Sequence, residues 1–191
     1  MEDDTVNCWK TISYTKQYGS QRLFIISLIT MLLTFIILYI PISYFFDSTV
    51  LYDNHFLLLI FGIFLMYPAH KFLHYLPVAH HSSKIKKKIV WKFGFYPFIE
   101  VKVQEPIAKH LFLFALLMPF LSITLLLAIS CFIFSHYIHY ITILMAYQIG
   151  LSVPDISCAF NVLKAPKHAF IEENDDGFEI LVHNNGLNKD I

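Results

Sequence analysis

The feature that most restricts this chain is the stretch from Arg22 to Phe46, about 24 nearly uninterrupted apolar positions. At ~1.5 Å rise per helical residue, such a stretch crosses ~30 Å of hydrocarbon. Inside a bilayer, only helices and closed barrels satisfy all their own backbone groups. Three more apolar stretches follow, at about Asn54–Leu76, His110–Phe134 and Ile141–Leu163. The predicted fold class is therefore an all-α polytopic membrane protein: four transmembrane helices with a small cytoplasmic β-hairpin element.

Composition agrees. The 191 residues are 57% hydrophobic and 15% charged, with a mean hydropathy of +0.58, more apolar surface than a soluble domain of this length can hide. The formal net charge is +0, so nothing points to nucleic acid as a partner. Cys8, Cys131 and Cys158 form no C-x-x-C pair and no disulfide framework.

The chain reads as three segments. Residues 1–21 are a polar lead that opens on Glu2-Asp3-Asp4 and has no signal-peptide pattern. Residues 22–163 are the four-helix membrane domain, interrupted by a polar loop at 77–108. Residues 164–191 are an acidic tail. In the loop, Ile89–Phe93 and Phe98–Val103 flank Gly94-Phe95-Tyr96-Pro97, and the second run alternates apolar with charged residues, predicting a hairpin. In the tail, Asn174-Asp175-Asp176-Gly177 is a strong hairpin turn between Phe170–Glu173 and Phe178–Val182. The two hairpins are predicted to pair with each other.

Lysine and arginine cluster in the lead, the loop and the start of the tail, whereas 47–53 and 135–140 have none. The positive-inside rule then puts both termini and the loop in the cytoplasm of a multi-pass cell-membrane protein. The basic run Lys84–Lys88 reads as a topology determinant that touches anionic lipid. Ser27, Thr30 and Thr34 share a helical stripe that suits close contact with another helix. Pro68 should loosen the second span.

That second span carries the chemistry. His70 and His74 stand four apart, which puts both rings on one helix face, one turn apart. Two such imidazoles can hold one metal ion, as in the H-E-x-x-H motif. Here Lys71 stands where that motif has glutamate, so the ligand spacing is present and the usual base is absent. Asp155, in the fourth span, is the other signal: a carboxylate at that depth is expensive and needs a partner. The partner is a metal ion, Lys71 or a proton.

Depths match. Counting ~1.5 Å per residue, His70 lies about 25 Å and Asp155 about 21 Å from the outer ends of their spans. Gln148, Ser152 and Asp155 fall at i, i+4 and i+7, one polar stripe able to face the histidines. Two histidines and a carboxylate form a zinc ligand set with a fourth position left for water. A neutral Lys71 amine, favoured by desolvation beside a cation, is the one base the motif itself offers. His80 and His81 are possible extra ligands, though a loop pair is more often solvated. His55, His136 and His139 belong to the opposite, interfacial end.

With these residues in place, the chain resembles a bacterial family of multi-pass membrane proteins described as zincin peptidases. The resemblance runs from the second span to the tail. It rests on His70–His74, on Leu116-Leu117-Met118-Pro119-Phe120, on Val153-Pro154-Asp155 and on Lys164-Ala165-Pro166. It implies Zn²⁺ held by His70, His74 and Asp155. It also implies a layout like that of site-2 intramembrane metalloproteases, with a membrane protein or peptide as substrate. Lys71 departs from the pattern.

The expected function is that of a degenerate or atypical intramembrane metallopeptidase. One alternative is a non-catalytic pseudoenzyme or interaction protein with a structural Lys71–Asp155 ion pair. A second is a small proton-coupled transporter subunit, which four spans support only as an oligomer and without an evident inverted repeat.

Overall fold

The computed structural model describes the backbone of residues 6–13, 20–45, 50–81, 85–92, 96–103, 106–174 and 177–183, and the side chains of 8–11, 21–45, 50–78, 106–172 and 177–182. Four helices, α1 (Ser20–Phe45), α2 (Phe56–His81), α3 (Lys109–Ile133) and α4 (Ile138–Leu163), occupy the four apolar stretches. All four are long and apolar enough to cross a membrane. A short 3₁₀ turn, Ser135–Tyr137, separates α3 from α4.

Helix α2 runs past the predicted end at Leu76, through Pro68 and Pro77, to His81. A proline inside a helix removes one backbone bond and crowds the carbonyl four residues back. At both sites the bonds on either side keep the helix going.

The chain divides into two compact units. The helical unit comprises Gln21–His74 and Leu116–Cys158. Within it, α4 touches the other three helices. Gly150 lets α1 approach: a Cβ there would lie 2.9 Å from Met31 Cβ and 3.1 Å from the Ser27 carbonyl oxygen. Ser27, the first residue of the predicted stripe, thus lies at a helix contact through its backbone. Gly62 of α2 sits against Leu144 of α4, 3.3 Å from the position its Cβ would take. Gln148 of α4 donates to the Pro119 carbonyl of α3. Three polar residues of α4, Thr142, Gln148 and Ser152, are fully buried. Thr142 and Ser152 donate to the backbone four residues back, at 2.7 and 2.9 Å, which satisfies them without a partner helix.

The outward side of α1 is apolar and exposed at Phe24, Leu28, Leu32 and Ile36. In water such a face is a liability, while in hydrocarbon it costs nothing.

At the other end of this unit the 50–55 and 135–140 turns interlock. The Tyr52 amide donates to the His136 carbonyl (3.1 Å), and His136 Nδ1 donates to the Val50 carbonyl (2.9 Å). Tyr52 stacks on His136, and Tyr137 meets His55 edge-on. His139 Nε2 lies 3.0 Å from Asp53 Oδ1. These are the three histidines assigned above to the interfacial end.

The second unit comprises Met1–Ser20, Tyr75–Ala115 and Ala159–Ile191. Its strands are β1 (Val6–Ser13), β2 (Ile85–Lys92), β3 (Tyr96–Val103), β4 (Ile107–Ala108), β5 (Phe170–Asn174) and β6 (Gly177–His183). The β2–β3 hairpin forms as predicted, although Tyr96 and Pro97 pair within it rather than turning. Residues 93–95, and the side chains of Lys84–Lys88, lie outside the described residues.

The tail hairpin also forms, with Asn174 opposite Gly177. Its predicted pairing with β2–β3 is corrected. It pairs instead with β1 and β4, in an antiparallel sheet ordered β1-β6-β5-β4. Phe178, Ile180 and Val182 alternate along β6 and are buried, so β6 belongs in the middle of a sheet. The lead therefore contributes a strand rather than a loose polar segment. A register shift between Cys8 and Lys10 breaks the two-residue period that would have revealed it.

Lys109 opens α3 and is buried. Its ammonium donates to the carbonyls of Leu163 and Ala165, at and just beyond the end of α4. Terminal helix carbonyls lack intrahelical donors and carry the negative end of the helix dipole, so a buried cation is well placed there.

Candidate metal centre

His70 and His74 reach the same point because α2 is helical through both. Their rings lie edge to face, centroids 4.8 Å apart at 72°. Asp155 comes from α4, one position after Pro154. His70 Nε2 lies 2.9 Å from Asp155 Oδ2, and His74 Nε2 lies 3.3 Å from the same oxygen. The two Nε2 atoms are 3.1 Å apart. His70 is almost fully buried, with His74 and Asp155 partly so.

Three lone-pair atoms thus form one small triangle. Two imidazole nitrogens and a carboxylate oxygen at these distances need shared hydrogens or a metal ion between them. Ligand atoms of tetrahedral zinc, bound at ~2.0–2.1 Å, sit about 3.3–3.4 Å apart. The observed separations of 2.9, 3.1 and 3.3 Å reach that arrangement with shifts of a few tenths of an ångström. The donor set fits zinc, and this is the one such group of His, Cys, Asp or Glu among the described residues.

Behind His70 stands Gln148, completely buried. Its Nε2 lies 3.0 Å from His70 Nδ1, and its Oε1 lies 3.4 Å from the same nitrogen. Sequence periodicity picked out Gln148 as facing the histidines. The Pro119 carbonyl that anchors its amide carried no sequence signal, because backbone acceptors are invisible in residue identity.

Lys71 does not join the triangle. Its side chain is exposed on the surface of the helix. Asp155 lies against the two histidines rather than in the ion pair with Lys71 that the alternative reading required. The side chains of His80 and His81 lie outside the described residues.

The sequence profile of the family described as "Putative zincin peptidase" matches residues 63–170. That is more than half of the chain, and it holds both histidines and Asp155. The chain belongs to this zincin family. The matched residues include the H-x-x-x-H segment His70–His74, in which Lys71 follows the first histidine. No curated protein and no solved structure matches the chain.

Proposed function

We propose that this protein is a membrane-embedded zinc-holding member of the zincin family whose peptidase chemistry is degenerate. His70, His74 and Asp155 hold the ion. The observation that carries the reading is the triangle of their three ligand atoms, at 2.9–3.3 Å, on two different helices.

The chemistry zinc supplies in such a site is Lewis-acid polarisation of a carbonyl and activation of water. The protein's share of that chemistry is incomplete. In an H-E-x-x-H motif a glutamate beside the first histidine takes the proton from water. Here that position is Lys71, which carries no carboxylate. Asp155 is the only carboxylate in the group, and both histidines already engage its Oδ2. The site therefore binds and orients, and among the described residues no second carboxylate joins it. The lipid bilayer is the surroundings, a membrane protein or peptide is the ligand class, and both termini face the cytoplasm.

Elemental analysis of protein purified gently without chelator tests this. One zinc per chain in the wild type and near none in His74→Ala supports it. Zinc near zero in the wild type, or unchanged by His74→Ala, overturns it.

A further inference from the structure

Lys109 shapes the turn that follows α4. Its backbone amide donates to the Ala169 carbonyl at 3.1 Å, and its ammonium holds the carbonyls of Leu163 and Ala165. The turn from 163 to 169 therefore wraps around the first residue of α3. Two bonds inside it fix its form: the Ala165 amide donates to the Val162 carbonyl (3.1 Å) and the Ala169 amide to the Pro166 carbonyl (3.2 Å). Ala165 and Ala169 are buried, whereas Lys164, Lys167 and His168 are exposed, as is His110 beside Lys109.

Four exposed N–H-bearing side chains thus stand on the joined ends of α3 and α4. Little negative charge answers them. From Pro106 to Ile171 the only Asp or Glu is Asp155, whose carboxylate the metal-centre histidines engage. Neither Lys164 nor Lys167 makes an ion pair among the described residues. The last turn of α4 exposes Phe160 (63%) and Leu163 (54%), three positions apart on one helix face. At ~1.5 Å rise per residue, Phe160 lies about 6 Å along the axis from Lys164. Cations above an exposed apolar face, at the ends of two helices long enough to cross a membrane, suit an anionic headgroup with an acyl chain beneath it. A free phosphate would use the cations alone.

We propose that the 163–169 turn, with His110, is a binding site for an anionic phospholipid. Lys164 and Lys167 take the phosphate through charge-assisted hydrogen bonds, and His110 and His168 donate at its edge. Phe160 and Leu163 take the first part of an acyl chain. Lys109, spent on two carbonyls, frames the site and does not touch the lipid. The site uses none of the metal ligands and does not depend on the zinc reading.

Native mass spectrometry tests it, on full-length protein stripped of lipid in neutral detergent and titrated with phosphatidylglycerol or phosphatidylcholine. A lysine near an anionic membrane surface is worth about fivefold in affinity. The wild type should therefore prefer phosphatidylglycerol by roughly tenfold or more, and Lys164→Gln/Lys167→Gln should lose about 25-fold. Lys164→Arg/Lys167→Arg should keep the binding, because the charge stays. Lys86→Gln/Lys87→Gln, in the other basic segment, should keep it too. Equal affinity of the wild type for the two lipids overturns the proposal. So does unchanged phosphatidylglycerol binding in the Lys164→Gln/Lys167→Gln variant, an equal loss in the arginine variant, or a loss confined to the Lys86→Gln/Lys87→Gln variant. Displacement of the lipid by millimolar inorganic phosphate would mark a simple anion site and overturn it as well.

Discussion

His70 Nε2 and Asp155 Oδ2 lie 2.9 Å apart although 85 positions separate them in the chain. Helices α2 and α4 meet at this contact, so it joins fold to chemistry. Asp155→Ala should lower zinc affinity at least tenfold. In metal-free protein it should also destabilise by about 1–3 kcal/mol, because a buried imidazole N–H loses its acceptor. Chelator competition and denaturant unfolding in micelles read the two effects separately.

Lys71 is exposed and makes no ion pair with Asp155. Lys71→Ala should change stability by no more than ~0.5 kcal/mol, the range of ordinary surface changes. Zinc content should stay the same. A large loss of stability would revive the ion-pair account. Lys71→Glu restores the motif's base and should raise hydrolysis of a transmembrane peptide substrate about 10²–10⁴-fold over wild type, the usual worth of a positioned base.

Gly150 admits α1 to α4, with Met31 Cβ only 2.9 Å from where its own Cβ would stand. A Cβ atom cannot swing aside as the end of a side chain can, so the helices must move apart. Gly150→Leu should destabilise by about 1–3 kcal/mol, as overpacked interiors do. Thermal unfolding followed by circular dichroism would measure it.

Cys8 is exposed while Cys131 and Cys158 are buried. The wild-type chain thus carries its own reporter of topology. A membrane-impermeant maleimide should leave intact cells unlabelled and label Cys8 once the membrane is opened, with Cys8→Ser abolishing the signal. Labelling of Cys8 from outside intact cells would reverse the orientation proposed here.

Much of this was legible in the sequence because the membrane simplifies it. Four long apolar runs leave little choice but helices, and their ends fell within a few residues of the observed ones, except where α2 continues past Pro77 to His81. The H-x-x-x-H spacing and the Gln148–Ser152–Asp155 stripe gave the side chains that meet, since helical periodicity fixes which residues share a face. Strand pairing was harder. Which strand lies beside β6 depends on contacts between residues nearly the whole chain apart, and the bulge near Trp9 hid the period of β1. Composition left the partner of Asp155 open between Lys71, a metal ion and a proton, because charge alone does not fix which helix face carries it; in the structure the carboxylate lies against the histidines.

The most direct test of the central claim is anomalous diffraction at the zinc edge from crystals of the full-length protein grown in lipid. A single strong peak should lie ~2.0–2.2 Å from His70 Nε2, His74 Nε2 and one Asp155 oxygen. No peak in zinc-soaked crystals, or a peak that leaves these three side chains unligated, would contradict it.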